Sequence, residues 1–176
     1  GLGDVYKRQG EALFWPCPAR EGQPHPGTPR LFLDRFATPD GRARMIPVEH
    51  RPPADDIRPQ APIHLITGRV LAHYQSGAQT RRVPARTAAA PEGFIELHPE
   101  LAARIDVTDG DHVTVRSSRG SATAPARVTE TVRPDTVFMP FHWSGTANPN
   151  VVTNDALDPI SRMPELKVCA VEVSRA

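Results

Sequence analysis

Twenty of the 176 residues are proline, and their placement divides the chain before any other pattern is weighed. Ten of them stand between Pro16 and Pro59. Proline has no N–H to donate and biases the preceding residue toward extended backbone, so residues 10–61 cannot be helical and are poor material for central strands. They read as an extended arm. That arm nonetheless carries Leu13, Phe14, Trp15, Leu31, Phe32, Phe36 and Met45, more apolar weight than a solvated linker holds. It is expected to pack on something outside this chain. Residues 1–9 lack periodicity and do not join naturally to the arm that begins at Gly10. They read as a leader foreign to the domain, with no apolar stretch of the kind a secretory signal needs.

From Ile63 the pattern changes to short runs rich in β-branched residues, separated by turn signals at close spacing. Strands are expected at Ile63–Ile66, Gly93–Leu97, His112–Ser117, Ala122–Thr129, Thr136–His142 and Leu166–Val173. Turns fall at Asp109-Gly110-Asp111, Arg119-Gly120 and Arg133-Pro134-Asp135. One helix is expected, opening on Pro99 and running to Ile105. Several short strands with one or two small helices indicate a compact, mainly β barrel over residues 62–176.

The formal net charge is +1, so electrostatic work must be local, and nucleic acid is disfavoured as the main partner despite Arg81, Arg82, Arg86, Arg116 and Arg119. Mean hydropathy is −0.41, and no apolar run approaches the roughly 20 residues of a spanning helix, so no membrane insertion is expected. Cys17 and Cys169 form no CxxC pair, which gives no zinc or iron–sulfur site to read. They are expected to be reduced thiols of a cytoplasmic protein.

Two polar loops stand out. The first comes after the strand at Ile63 and holds Thr67, Gly68, Arg69, His73, Ser76, Gly77, Gln79, Arg81 and Arg82. Glycine lets the backbone approach a phosphate, while neighbouring N–H groups and a guanidinium supply donors and charge. Alone, a Thr-Gly-Arg at a strand end is more often an ordinary polar turn. The second runs from Phe138 through Phe141, His142 and Trp143 to Ser144, Asn148, Asn150 and Thr153. That mixture suits stacking on a flat ring and bonding its edges, and it equally suits a core strand with a polar loop. Lys167, before the last strand, could reach a phosphate or sit in water. Asp109 and Asp111 are explained by turn chemistry, and His98 by a strand–helix junction. With no Gly-x-Ser-x-Gly elbow and no His credibly paired with either cysteine, serine-protease and cysteine-nucleophile readings fail.

In order along the chain, several segments resemble the C-terminal part of the molybdopterin oxidoreductases that bind a bis(molybdopterin guanine dinucleotide) molybdenum cofactor, and within them the bacterial, assimilatory-type nitrate reductases. They are Thr67-Gly-Arg-Val-Leu-Ala-His-Tyr-Gln-Ser-Gly-Ala-Gln-Thr-Arg-Arg-Val, Phe94-Ile-Glu-Leu-His-Pro-Glu, Val137-Phe-Met-Pro-Phe-His-Trp, Asn150-Val-Val-Thr, Leu157-Asp-Pro-Ile-Ser and Leu166-Lys-Val-Cys-Ala-Val. Upstream, Trp15-Pro-Cys-Pro, His25-Pro-Gly-Thr-Pro-Arg-Leu-Phe and Phe36-Ala-Thr-Pro-Asp-Gly-Arg-Ala-Arg resemble the segment by which such enzymes leave their catalytic core.

The resemblance implies a double-psi β-barrel of the aspartate-decarboxylase type over residues 62–176, preceded by the arm. It implies cofactor contacts from Thr67, Gly68, Arg69, His73, Ser76, Phe141, His142, Asn150 and Lys167, with no catalytic or metal-ligating residue in this chain. Upstream catalytic domains of the same enzyme are the implied partner, nitrate the implied substrate, and a 4Fe-4S cluster is implied only for the upstream region. A chain of this extent would not be active alone. Where nitrate reductases commonly show Trp-His-Thr after the loop histidine, this chain has Tyr74, Gln75 and Ser76, and Gln79 replaces a frequent methionine. These departures keep polarity or aromaticity and leave the substrate open. A formate dehydrogenase, another molybdenum or tungsten oxidoreductase, and a free-standing protein-binding β-barrel remain alternatives.

Overall fold

The computed structural model describes residues 30–176; the leader and residues 10–29 of the arm, including Cys17, lie outside the described residues. The chain divides into two units, residues 1–49 and 50–176. In the described part of the first there is no helix or strand, only turns and bends. Phe32 stacks on Phe36 at 5.2 Å, and Met45, Ile46 and Val48 are exposed.

The second unit is a closed six-stranded barrel. Its strands are β1 (Ile63–Gly68), β2 (Ile95–Leu97), β3 (His112–Arg116), β4 (Ser121–Val128), β5 (Thr136–Pro140) and β6 (Val168–Arg175). Two short helices accompany them, α1 (Pro84–Ala89) and α2 (Pro99–Arg104). Proline opens both helices, where its absent N–H costs nothing. His98 caps α2 by accepting from the Glu100 N–H at 3.2 Å, the junction role expected from its sequence position. Helix α1 has no counterpart among the sequence expectations; it is a single turn and a half with no buried residue, so it carries no apolar stripe that a sequence could display.

Around the ring the strands run β1-β5-β2-β4-β3-β6. Two pairs are parallel, β1 with β5 and β2 with β4, and the rest antiparallel. Exchanging β1 with β4, β2 with β5 and β3 with β6 maps this ring, and every strand direction in it, onto itself. The two halves of the unit are thus one motif used twice and interlocked, the double-psi arrangement. Pro125 marks where β4 changes neighbours: residues up to Pro125 pair with β3, and from Ala126 onward the strand pairs with β2.

Alternation sorts inside from outside. Ile63, Leu65, Ile95, Leu97, Val113, Val115, Val137, Met139 and Val171 fill the interior, and β4 contributes Ala122, Ala124 and Ala126, small enough for a narrow closed barrel. Closure leaves no unpaired strand edge, and it fixes the ends of β1 and β5 side by side, with Gly68 opposite Pro140. The candidate site is built on those two ends.

Candidate functional site

Where β1 ends, Thr67 is buried; its hydroxyl donates to the Leu166 carbonyl at 2.7 Å and its N–H to the Lys167 carbonyl at 3.1 Å. These bonds stitch β1 to the lead-in of β6 and bring Lys167 alongside. On the other flank, Phe141 continues the parallel pairing by donating its N–H to the Gly68 carbonyl at 3.1 Å. A Cβ on Gly68 would stand 2.6 Å from the Phe138 ring, so a side chain here would force that ring to move.

Three side chains then meet. The Arg69 guanidinium carbon lies 5.3 Å, and the Lys167 ammonium 4.9 Å, from the centre of the Phe141 ring. Among the described residues neither cation has a carboxylate within salt-bridge distance. Two uncompensated positive charges on one aromatic ring, at the end of a barrel, form a place for an anion attached to a flat group.

Behind this cluster, His142 is 1% exposed, and both ring nitrogens are engaged. Nε2 accepts from the Val70 N–H at 2.8 Å, so Nδ1 carries the proton and donates to the Gln75 carbonyl at 2.5 Å. Burial is the main reason its pKa is held below the ordinary 6.5, with the charges of His73, Arg69 and Arg81 adding to it and the Gln75 bond opposing. Gln75 itself adopts φ 51°, a left-handed backbone uncommon for a residue with a Cβ, and this bond helps hold it there. Arg81 donates to the His142 carbonyl at 2.6 Å, and at Gly77 (φ 74°) any side chain would run into that guanidinium.

His73 is bolted in the same way. Its Nε2 donates to the Ala90 carbonyl at 2.7 Å, Nδ1 lies 3.0 Å from the Thr80 hydroxyl, and Trp143 packs edge-on against the ring at 5.2 Å. The Trp143 indole N–H is buried with no acceptor among the described residues. Leu71, Tyr74 and Ser76 are exposed on the outer side of this loop.

Asn150 is positioned by different means. Asn148 accepts from the Asn150 N–H at 3.1 Å and starts the 3-10 turn Pro149–Val151, which leaves the Asn150 side chain exposed and without an intrachain bond among the described residues. The β3–β4 hairpin braces the loop from outside. Arg119 donates to the Val152 carbonyl through Nε and Nη2 at 3.1 and 2.9 Å and to the Asp55 carboxylate at 2.6 Å, and a Cβ on Gly120 would come within 2.7 Å of the Val151 carbonyl. Burial pulls the Asp55 pKa upward, but its bonds to Arg119 and Arg58 prevail and hold it below the usual 3.8.

Of the nine residues read from the sequence, the structure brings Thr67, Gly68, Arg69, Phe141, Lys167, His73 and His142 into one neighbourhood. Ser76 lies on the exposed side of its loop, and among the described residues no bond or ring contact joins Asn150 to the Phe141 cluster. Sequence reasoning misses the positioning roles of Arg81, Arg119 and Asp55. Arg81 and Arg119 register there only as surface charge, because a bond to a distant carbonyl leaves no local pattern. Among the described residues no group of three or more His, Cys, Asp or Glu could hold a metal ion, and no helix is long and apolar enough to cross a membrane.

Residues 63–170 match the family model described as molydopterin dinucleotide binding domain. The chain is 43% identical over 169 residues to the assimilatory nitrate reductase catalytic subunit of Bacillus subtilis, covering 95% of this chain and 23% of that protein. It is 44% identical over 174 residues to the F420-dependent formate dehydrogenase subunit alpha of Methanocaldococcus jannaschii, covering 98% of this chain and 25% of that subunit. The chain therefore spans about a quarter of the length of these relatives. Among solved structures, acetylene hydratase from Pelobacter acetylenicus superposes with a TM-score of 0.57 at 20% identity, over 66% of this chain and 18% of that one, a likeness of fold. By the family match over most of the barrel unit, the chain belongs to the molybdopterin dinucleotide binding domains.

Proposed function

We propose that this chain is the C-terminal cofactor-binding portion of a molybdenum oxidoreductase, completing a pocket for bis(molybdopterin guanine dinucleotide) in an enzyme that reduces nitrate to nitrite. The observation that carries the reading is the pair of cations, Arg69 and Lys167, on the Phe141 ring with no carboxylate partner among the described residues, a fit for a diphosphate joined to a flat heterocycle. The exposed Asn150 amide has a donor and an acceptor for the edge of a base. The cofactor, when bound, supplies the metal-centred two-electron chemistry. This chain's residues do the rest: Arg69 and Lys167 neutralise the phosphates, Gly68 admits the backbone to close approach, Phe141 offers a face, and His73 and His142 hold the loop at its place. Ser76, exposed on its loop, completes the contact set, while Thr67, with its hydroxyl and N–H taken by the Leu166 and Lys167 carbonyls, ties the end of the strand in place. A 4Fe-4S cluster and the catalytic domains belong to the upstream polypeptide, and the compartment is the cytoplasm, consistent with the free, buried thiol of Cys169.

Nitrate is favoured by the Bacillus subtilis relative; formate is the second reading, because the archaeal formate dehydrogenase subunit is as similar. The test purifies the full-length protein and measures molybdopterin, molybdenum, nitrite production and formate oxidation. Cofactor with nitrite production supports the reading; formate oxidation without nitrite production replaces the substrate; protein that never acquires cofactor overturns the whole. In Arg69→Ala/Lys167→Ala, retained molybdopterin is expected to drop by about tenfold or more, the loss of two charge-assisted contacts, and full retention would remove both residues from the site.

A further inference from the structure

The turn that carries Asn150 and the lead-in that carries Lys167 are joined by one side-chain knot. Its centre is Asn154, a residue only 7% exposed. Its Nδ2 donates to the Val168 carbonyl at 3.0 Å and to the Glu165 carboxylate at 3.2 Å, and its Oδ1 accepts from the Ala156 N–H at 2.9 Å. An amide gives and takes at once, while a carboxylate of the same shape has no hydrogen to give. The knot closes a long excursion. Residues 155–166 leave the barrel and return, with Leu157 paired to Pro164 and the Glu165 N–H on the Ala156 carbonyl at 2.9 Å, and Asn154 pins the base of that excursion to Val168, the first residue of β6. Toward Asn150 the chain is stiff: the N–H groups of Val152 and Thr153 both donate to the Pro149 carbonyl, at 3.0 and 3.2 Å, so the placement of Asn154 carries over to Asn150. Lys167 precedes Val168 and is separately tied to β1 through Thr67. A buried polar hub carries a desolvation cost that an apolar residue avoids, and what it secures here is the spacing of two exposed polar side chains.

We infer that Asn154 is a positioning residue for the cofactor: it sets the place of the Asn150 amide against that of the Lys167 ammonium, so that one bound dinucleotide meets both. The inference rests on the reading above, in which Asn150 and Lys167 contact the molybdopterin dinucleotide. Because Lys167 is held to β1 independently, loss of the Asn154 bonds displaces Asn150 and leaves the lysine where it is. The Arg119 clamp fixes the same turn to the β3–β4 hairpin, whereas Asn154 fixes it to the strand that follows the lysine.

The experiment is a pair of double-mutant cycles in the full-length protein, read as the rate at which molybdopterin is released on dilution, with the freed pterin measured by its fluorescence after oxidation. Asn154→Asp keeps the shape of the amide, loses its hydrogens and faces Glu165 with a like charge. It is expected to speed release by about fivefold, the effect of one hydrogen bond to the ligand, and so is Asn150→Ala. Combining these two should add less than about twofold to either alone, whereas Asn154→Asp with Lys167→Ala should multiply the two separate effects. Release at the unmodified rate from Asn154→Asp, or effects that multiply with Asn150→Ala, would overturn the inference. Equal coupling to Lys167 would overturn it too, as the mark of a general loosening. Glu165→Ala breaks the same knot from its half-buried partner and is read in the same two cycles, so a misfolded Asn154→Asp protein leaves the prediction equally refutable. Purified protein that never holds molybdopterin takes down the parent reading and this inference together; loaded protein in which the Asn154 and Asn150 effects multiply sinks the inference alone.

Discussion

The two polar loops of the barrel are held by opposite means. The loop after β1 is bolted by two imidazoles, His142 and His73, whose ring nitrogens are engaged by the fold itself. The loop at Asn150 is clamped from outside by an ion pair, with Arg119 reaching both the Val152 carbonyl and Asp55, and the Asn150 side-chain amide has no intrachain bond among the described residues. Hydrogen-bonding residues in a polar loop can thus be fasteners or contacts, and the position of their partners decides which. On the first loop the Arg69 cation is an exposed polar side chain; on the second the Asn150 amide is.

The largest expected effect is on the first loop. His142→Ala leaves the Val70 N–H and the Gln75 carbonyl unpartnered and opens a cavity where a fully buried ring stood, so unfolding free energy should fall by about 3–5 kcal/mol. Denaturant unfolding checks this, and a loss under about 1 kcal/mol, the worth of a single ordinary hydrogen bond, would mean the imidazole is no bolt. Next comes Gly68→Ala, whose methyl would collide with Phe138 and cost about 1–3 kcal/mol by overpacking. Gly68→Ala with Phe138→Leu should recover part of that loss, and no recovery would place the strain in the backbone. On the second loop, Arg119→Met keeps the aliphatic stem but strands the partly buried Asp55 and removes two donors from the carbonyl of buried Val152, for about 1–2 kcal/mol. This loss should shrink in high salt, unlike that of His142→Ala.

How much of this could be read in the sequence depends on how local each cause is. The β-branched alternation of His112–Arg116, the Pro-opened helix at Pro99 and the Asp109-Gly110-Asp111 turn depend on near neighbours, and all three stand where expected. The parallel pairing of β1 with β5 joins distant parts of the chain, His64 with Thr136 and Gly68 with Pro140, and periodicity contains no trace of it. Only the family resemblance points to the double-psi arrangement. Thr67, His73 and His142 illustrate the limit at the site. Their residue types suggest ligand chemistry, yet their partners are the carbonyls of Leu166, Ala90 and Gln75, which are backbone atoms that no motif can display. Arg69, Phe141 and Lys167 are legible as types, and the cluster they form comes only from the closure of the barrel.

The smallest effect is also the sharpest divider of the two loops. The His142 pKa lies below its ordinary 6.5, so any state in which this loop opens takes up a proton first as the pH drops. Its stabilising contribution is complete above about pH 6.5 and declines as the pH falls toward the folded value, because a proton on Nε2 would face the Val70 N–H instead of accepting from it. Asp55 is lowered relative to 3.8, so its contribution is complete above that value and is lost only in stronger acid, as the pH falls through the folded pKa. Amide exchange read residue by residue therefore distinguishes them. Between about pH 6.5 and about pH 4.5 the protection factor of the Val70 amide should fall while that of Val152, bonded to the Pro149 carbonyl, stays level. A parallel fall at both would show that the loops open as one unit, and the contrast between an imidazole bolt and an ion-pair clamp would then describe contacts without describing separate stabilities.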